Sequence, residues 1–153
     1  MNKCFLTFAL MASLALGVFS AKAQETSTHE AKIKQTVLNY YEGYIYADLG
    51  KLALAFDTLA GHMKFVKAEA DQAEKVGVIP ANELIKRWAG RGAFTAEQIA
   101  QSGYKIESLD ILDDKLAMVK IALQAADKSY VDYLALYRVN EEWKIVNKVF
   151  VQR

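Results

Sequence analysis

The chain has 153 residues, 53% hydrophobic and 24% charged, which provides enough apolar side chain for the core of one domain. Nineteen basic and eighteen acidic residues give a formal net charge of +1, so no basic surface for nucleic acid is expected. The hydrophobic content excludes intrinsic disorder, and a single Cys and a single Pro exclude a disulfide framework and a collagen-like chain.

The first 23 residues have the pattern of a cleaved secretory signal. Lys3 supplies the positive start, and an apolar run follows over residues 4–19. Ala21 and Ala23 then form a small-residue cleavage site before Gln24. The apolar run is short for a membrane-spanning helix. The sequence therefore predicts a secreted or periplasmic protein.

Cleavage at this site defines the mature chain. It would leave one domain at residues 24–153 with no membrane anchor. It would also remove Cys4, the only cysteine, so the mature chain would have no thiolate for catalysis or metal binding.

The first half of the mature chain predicts mainly helices. A capping box at residues 27–30 begins a helix whose apolar stripe carries three tyrosines. Asp48 offers a cap for a short second helix that ends at Gly61, and Asn82 offers a cap for a third helix. The apolar positions are Ile33, Val37, Tyr40, Tyr41, Tyr44 and Ile45 in the first helix, Leu52, Ala55, Phe56 and Leu59 in the second, and Leu84, Ile85 and Trp88 in the third.

The remaining segments predict strands. Alternating residues over 62–67 favour one strand, and residues 76–79 favour a short second one that Pro80 ends. Residues 93–102 predict an irregular connection with a helical turn. The last third predicts an antiparallel meander of four strands, at residues 104–112, 116–126, 130–139 and 143–151, separated by turn-prone pairs.

The strand predicted at residues 130–139 is apolar on both faces. One face carries Tyr130, Asp132, Leu134 and Leu136, and the other carries Val131, Tyr133, Ala135 and Tyr137. A sheet with one face in water needs only one apolar face. We therefore expect helices on one face and a second copy of the chain on the other, which predicts a homodimer through the outer sheet face.

Three helical segments followed by a long antiparallel meander resemble the cone-shaped nuclear-transport-factor-2-like fold. The closing stretches at residues 130–136 and 143–150 resemble the putative lumazine-binding family of that superfamily, which also contains SnoaL-like and ketosteroid-isomerase-like proteins. Tyr41-Glu42-Gly43, Asp48 and Leu54-Ala55-Phe56 agree with the same family. The resemblance covers about residues 31–151. The sequence departs from the family pattern at the last hairpin, where Asn140-Glu141-Glu142 replaces the usual Asp-Gly type of turn.

The resemblance implies an α+β cone in which N-terminal helices pack on a curved, mostly antiparallel sheet. It further implies a pocket between sheet and helices, a small-molecule ligand and, often, a homodimer. It does not identify the ligand.

Asp132 is the most suggestive single residue. It lies in the middle of a strand on an apolar face, where an unpaired carboxylate would be costly. In a dry pocket such a group has a raised pKa and can act as an acid or base. The alternative is a structural role, in which Asp132 pairs with a basic side chain or backbone amides and orders the sheet.

The tyrosines of the first helix are the second candidate. A phenol facing the pocket could donate a hydrogen bond to a ligand oxygen, as a Tyr and a protonated Asp do in ketosteroid isomerase, which has this superfamily's fold. The alternative is that they form core. The residues predicted to line the ligand site are Tyr40, Tyr41, Tyr44, His62, Trp88 and Asp132.

No metal or cofactor is expected. Two histidines far apart in the sequence, His29 and His62, do not have the spacing of a zinc site. No phosphate loop, serine-nucleophile elbow or dinucleotide fingerprint is present, which argues against hydrolases and nucleotide enzymes.

Three functions stay open at this point. The first is an exported domain that binds a small, mostly apolar or aromatic molecule without catalysis. The second is an isomerase or dehydratase that uses Asp132 with Tyr44 for proton transfer and oxyanion stabilisation. The third is a dimerisation or partner-binding module whose cone is filled by its own side chains.

Overall fold

The computed structural model describes residues 28–67 and 73–153. Its elements in chain order are α1 (28–46), α2 (Leu49–Ala55), β1 (His62–Lys67), β2 (Lys75–Pro80), α3 (Ala81–Gly90), α4 (Ala96–Ala100), β3 (Gly103–Leu112), β4 (Leu116–Ala125), β5 (Lys128–Val139) and β6 (Glu142–Gln152). The predicted secretory signal lies outside the described residues.

The strands form one curved, open sheet of six strands in the order β2-β1-β6-β5-β4-β3. The last four strands are the antiparallel meander that the sequence predicts. β1 and β2 form an antiparallel hairpin, and β1 lies parallel to β6, which joins the hairpin to the meander.

Helices α1, α2 and α3 cover one face of this sheet, here called the inner face. Its core joins helix residues such as Val37, Leu52 and Leu84 to strand residues such as Ile121 and Leu134, all of them buried. Within residues 28–67 and 73–153, no helix lies on the opposite, outer face, which exposes large side chains: Met118, Tyr133, Tyr137, Val149 and Val151. The α+β architecture expected from the resemblance is confirmed.

The second helix begins as predicted but ends earlier. The Asp48 side chain accepts a hydrogen bond from the Lys51 amide at 3.0 Å, which caps α2. The helix ends at Ala55 rather than Gly61, because Phe56 turns to extended backbone and forms a bridge to Ile145 of β6. The expected end at Gly61 was therefore wrong, since pairing with the sheet outcompetes another helical turn.

Gly61 has a different role from the one predicted. A Cβ atom at this position would lie 2.3 Å from the Asp57 carbonyl oxygen, so only glycine fits the tight turn into β1. The Gly61 carbonyl also accepts a hydrogen bond from the Ala81 amide at 2.8 Å. This bond satisfies an amide at the start of α3, which explains why α3 begins directly after Pro80 and Asn82 is not its cap.

The connection after α3 is more regular than predicted. Thr95 and Gln98 form a capping box, in which each side chain bonds to the other residue's backbone amide. This box begins the five-residue helix α4. The two outer hairpins of the meander turn through pairs with positive φ, at Asp113–Asp114 and at Asn140–Glu141. The missing Asp-Gly in the last hairpin therefore does not prevent a tight turn.

A bulge in β6 determines which of its side chains face inward. Leu136 of β5 is opposite Ile145, but Ala135 is opposite Asn147, so Val146 is an extra residue in β6. Side chains alternate between faces along a strand, and the extra residue shifts that alternation by one. As a result Ile145 before the bulge and Lys148 after it are both buried.

Candidate functional site

Asp132 lies in the middle of β5 and has no solvent exposure. Its Oδ2 accepts a hydrogen bond from the Tyr40 hydroxyl of α1 at 2.8 Å. Its Oδ1 lies 2.5 Å from the Lys148 ammonium nitrogen of β6, although no well-angled hydrogen bond reaches that oxygen. A carboxylate buried this deeply requires such partners, because burial has removed the solvation that would otherwise stabilise its charge.

Lys148 is buried in an aromatic environment. Its side chain is 4% exposed, and its Nζ lies 4.6 Å from the ring centre of Phe150 and 5.5 Å from that of Tyr40. Burial lowers the pKa of the Lys148 amine, and the neighbouring Asp132 carboxylate offsets part of that shift. Lys148 is thus a cation held by one carboxylate and the faces of two rings.

Tyr40 completes a buried triad, here defined as Tyr40, Asp132 and Lys148. Burial, followed by the charge of Asp132 and the hydrogen bond to it, raises the pKa of Tyr40 well above its ordinary value of 10.0. The phenol therefore keeps its proton and acts as a hydrogen-bond donor to the carboxylate.

A cavity of about 180 Å³ lies next to the triad, between α1, α3 and the inner face of the sheet. It is partly open to solvent. Its lining residues are Tyr40, Tyr44, Met63, Trp88, Leu123, Tyr130, Lys148, Phe150 and Gln152. Most of this wall is aromatic or aliphatic, and Lys148 contributes its one charged group.

Ring contacts hold the aromatic wall in place. Trp88 lies edge to face against Tyr44, with ring centres 5.0 Å apart, and stacks on Tyr40 at 5.9 Å. The Arg91 guanidinium lies 4.2 Å from the centre of the Tyr44 ring and bonds to the Tyr44 carbonyl. Tyr44 therefore contacts both Trp88 and Arg91, and these contacts restrict the orientation of its ring beside the cavity.

The six residues predicted for the ligand site fall into three groups. Tyr40, Tyr44 and Trp88 line the cavity. Asp132 lies behind the wall, where it contacts two residues that do line it, Tyr40 and Lys148. The isomerase alternative pairs Asp132 with Tyr44, yet in the structure Asp132 is bonded to Tyr40 instead.

Tyr41 and His62 lie away from this cavity. Tyr41 packs on Tyr104 of β3, with ring centres 4.8 Å apart. His62 is the register neighbour of Asn147, while the next residue, Met63, is the neighbour of Lys148 and lines the cavity. Because side chains alternate along β1, His62 points to the outer face.

Sequence reasoning missed Lys148 as part of the site. Lys148 is not among the residues predicted to line the site, and uninterrupted alternation along the strand places it on the face opposite Trp143. The bulge at Val146 reverses that assignment. The one available signal was the apolar run that directly follows Lys148, at Val149, Phe150 and Val151.

The described residues provide no metal site and no membrane span. Within residues 28–67 and 73–153, no three His, Cys, Asp or Glu side chains are grouped closely enough to hold a metal ion. No helix in the same ranges is long and apolar enough to cross a membrane.

A family model described as "Putative lumazine-binding" matches residues 28–151, which is most of the chain and all of its described secondary structure except the last residue of β6. The chain belongs to the putative lumazine-binding family. The stretches at residues 130–136 and 143–150, from which the resemblance was drawn, lie within this match. No curated protein is significantly similar to this family member.

Solved structures similar to this lumazine-binding family member share its fold. A nuclear-transport-factor-2-like protein of unknown function from Shewanella baltica OS155 has a TM-score of 0.69 and 19% identity, over 83% of this chain and 95% of that one. A second such protein, from Silicibacter pomeroyi DSS-3, has a TM-score of 0.66 and 19% identity, over 84% and 98%. At these identities the likeness establishes the nuclear-transport-factor-2-like fold.

Proposed function

We propose that the protein is an exported small-molecule-binding domain whose ligand occupies the cavity beside the buried triad. One observation carries this proposal: the cavity has a mostly apolar wall that contains a single buried cation, Lys148. Ligand sites typically combine such an apolar lining with a few fixed polar groups that orient the ligand.

The size of the cavity limits the ligand. A dry cavity of about 150 Å³ holds one benzene molecule, so about 180 Å³ suits a ligand with one or two rings. Tyr44 and Trp88 would contact the flat faces or edges of such rings. The Lys148 ammonium has donors beyond the one facing Asp132, and these would hydrogen-bond an oxygen acceptor on the ligand.

The mouth of the cavity offers a direct test. Gln152 lines the cavity but is exposed, whereas the next residue, Val151, is exposed on the outer face. Gln152→Trp should therefore obstruct ligand entry without disturbing the core, and Val151→Trp is its matched control. We expect the first variant to lose binding of one-ring aromatic compounds in calorimetric titration and the second to retain it. Equal binding by both variants would contradict the proposed site.

The outer face supports the second part of the proposal, a homodimer. Tyr133, Tyr137 and Val149 expose apolar surface on adjacent strands, and a second copy of the same sheet would cover it. A two-fold dimer would use one patch twice, which requires no separate complementary surface.

Native mass spectrometry of the protein from its own envelope fraction tests export, binding and assembly together. We expect a chain that begins at Gln24, a dimer, and an additional mass that is released on denaturation. A chain that retains residues 1–23 would contradict export, and a monomer would contradict the dimer. A ligand-free protein that also fails to bind one-ring aromatic compounds would contradict the binding function.

A further inference from the structure

Lys148 differs from the other lysines of the described chain in its surroundings. Among the nine residues that line the cavity, it is the one with an amine, and it is almost fully buried. Its amine lies beside a carboxylate, Asp132, that the Tyr40 hydroxyl holds in place from the other side. This arrangement brings a nucleophile, a proton acceptor and an apolar compartment together.

We propose that Lys148 captures aldehydes covalently, as an imine formed inside the cavity. The ligand class is then a small aromatic or aliphatic aldehyde whose carbonyl carbon reaches the Lys148 Nζ. This inference rests on the cavity being the ligand site, as proposed above, and adds the chemistry by which the ligand is held.

The reaction balances within the site. Asp132 takes a proton from the Lys148 ammonium, and the free amine adds to the aldehyde carbon to form a carbinolamine. The proton returns from Asp132 to the carbinolamine hydroxyl, and water leaves as the carbon–nitrogen double bond forms. The aldehyde and the ammonium have become a protonated imine and water, with no oxidant, reductant or metal required.

The surroundings of Lys148 favour each step. Burial lowers the pKa of its amine, which makes the nucleophilic neutral form available at lower pH than for an exposed lysine. The protonated imine carries the same single positive charge as the ammonium it replaces. Asp132 and the ring faces of Tyr40 and Phe150, which now surround the ammonium, would stabilise it in the same way.

Reductive trapping tests the inference. Benzaldehyde fits a cavity of this size, and sodium cyanoborohydride converts its imine into a stable benzyl amine. With less than one equivalent of benzaldehyde, we expect each labelled chain to carry a single benzyl group, mapped by peptide mass spectrometry to Lys148. Labelling of Lys148 should exceed that of Lys144, a lysine of the same strand that lies outside the cavity lining.

Two variants control the experiment. Lys148→Arg retains a cation beside Asp132 but has no nucleophilic amine, so its labelling should fall to the level of the surface lysines. Lys144→Arg changes a lysine of the same strand that binds Glu142 and lies outside the cavity lining, and it should leave the labelling unchanged. Mapping of the wild-type protein decides the question even where Lys148→Arg does not fold.

The possible failures can be told apart with benzyl alcohol, which has the same ring but no carbonyl. If benzyl alcohol binds the cavity and benzaldehyde labels only exposed lysines, the imine is wrong and the binding function stands. If neither compound binds and Lys148 stays unlabelled, both proposals fail. Label on Lys148 that benzyl alcohol prevents by competition supports both.

Discussion

The two faces of the sheet each contain an ion pair between strands, and the pairs differ in what surrounds them. On the inner face, Lys148 and Asp132 are 2.5 Å apart and their side chains are 4% and 0% exposed. On the outer side, Lys120 and Glu107 are 2.9 Å apart, and their side chains are 31% and 37% exposed. Water can replace either partner in the outer pair but neither partner in the inner one.

Both pairs join an ammonium to a carboxylate, but burial makes them differ in how strongly each partner depends on the other. An exposed pair gains little, because the solvent already stabilises both charges. A buried pair has lost its solvation, so each partner depends on the other, and the cavity beside it has a fixed polar group. The inner face thus carries a fixed, buried polar group, whereas the outer face exposes apolar side chains and a hydrated ion pair.

The largest expected effect comes from breaking the inner pair on one side. Lys148→Met leaves Asp132 buried and charged with only Tyr40 as a partner, which should reduce the free energy of unfolding by about 3–5 kcal/mol. Chemical denaturation monitored by circular dichroism measures the loss. The double variant Asp132→Leu, Lys148→Met removes both charges and should recover most of the stability. A single variant as stable as wild type would show that the buried pair does not matter for folding.

A smaller effect is expected from the third member of the triad. Tyr40→Phe removes the hydroxyl that donates to Asp132, and a hydrogen bond to a charged group contributes about 1.5–3 kcal/mol. The pKa of Tyr40 is raised in the folded chain, so this stabilisation is present at neutral pH. It is lost as the pH rises above 10.0 toward the folded-state pKa, because the unfolded chain then gives up the proton first.

Denaturation of wild type and Tyr40→Phe at several pH values tests the direction of this pH dependence. The difference in stability between the two proteins should be constant near neutral pH and should shrink above pH 10.0. A difference that grows with pH would mean that the phenol does not donate to the carboxylate.

The smallest effect is expected on the outer side. Glu107→Gln breaks the pair with Lys120, whose pKa the hydrogen bond to Glu107 raises, but both groups remain in water. The denaturation midpoint should stay close to that of wild type, well within the change caused by Lys148→Met. A loss of stability comparable to that of Lys148→Met would show that exposure to water does not decide how much these two ion pairs stabilise the fold.

Much of the fold could be predicted from local patterns. Asp48 caps α2 because an aspartate before an apolar run can bond a free helix amide, and that requires nothing from the rest of the chain. The meander followed from apolar runs separated by turn-prone pairs. Thr95 and Gln98 carried the same kind of local signal, yet the helix they begin was expected to be a single turn.

The candidate site could be predicted only in part. Asp132 stood out because a carboxylate on an apolar strand face needs an explanation, and Tyr40, Tyr44 and Trp88 shared apolar helix faces. His62 was among the residues predicted to line the site, but strand alternation turns it to the outer face. The positions of these residues relative to one another depend on packing between distant segments, which a single sequence does not contain.

The sequence by itself determined the α+β class of this protein, since periodicity, caps and turn residues act over a few neighbouring positions. Its stretches at residues 130–136 and 143–150 carried the resemblance to the putative lumazine-binding family. Only the tertiary structure decided that Lys148 faces Asp132 and Tyr40. That outcome depends on one extra residue in β6, Val146, which reverses the faces of every side chain after it. The bulge is defined by pairing with β5, so its effect exists only once the sheet has formed.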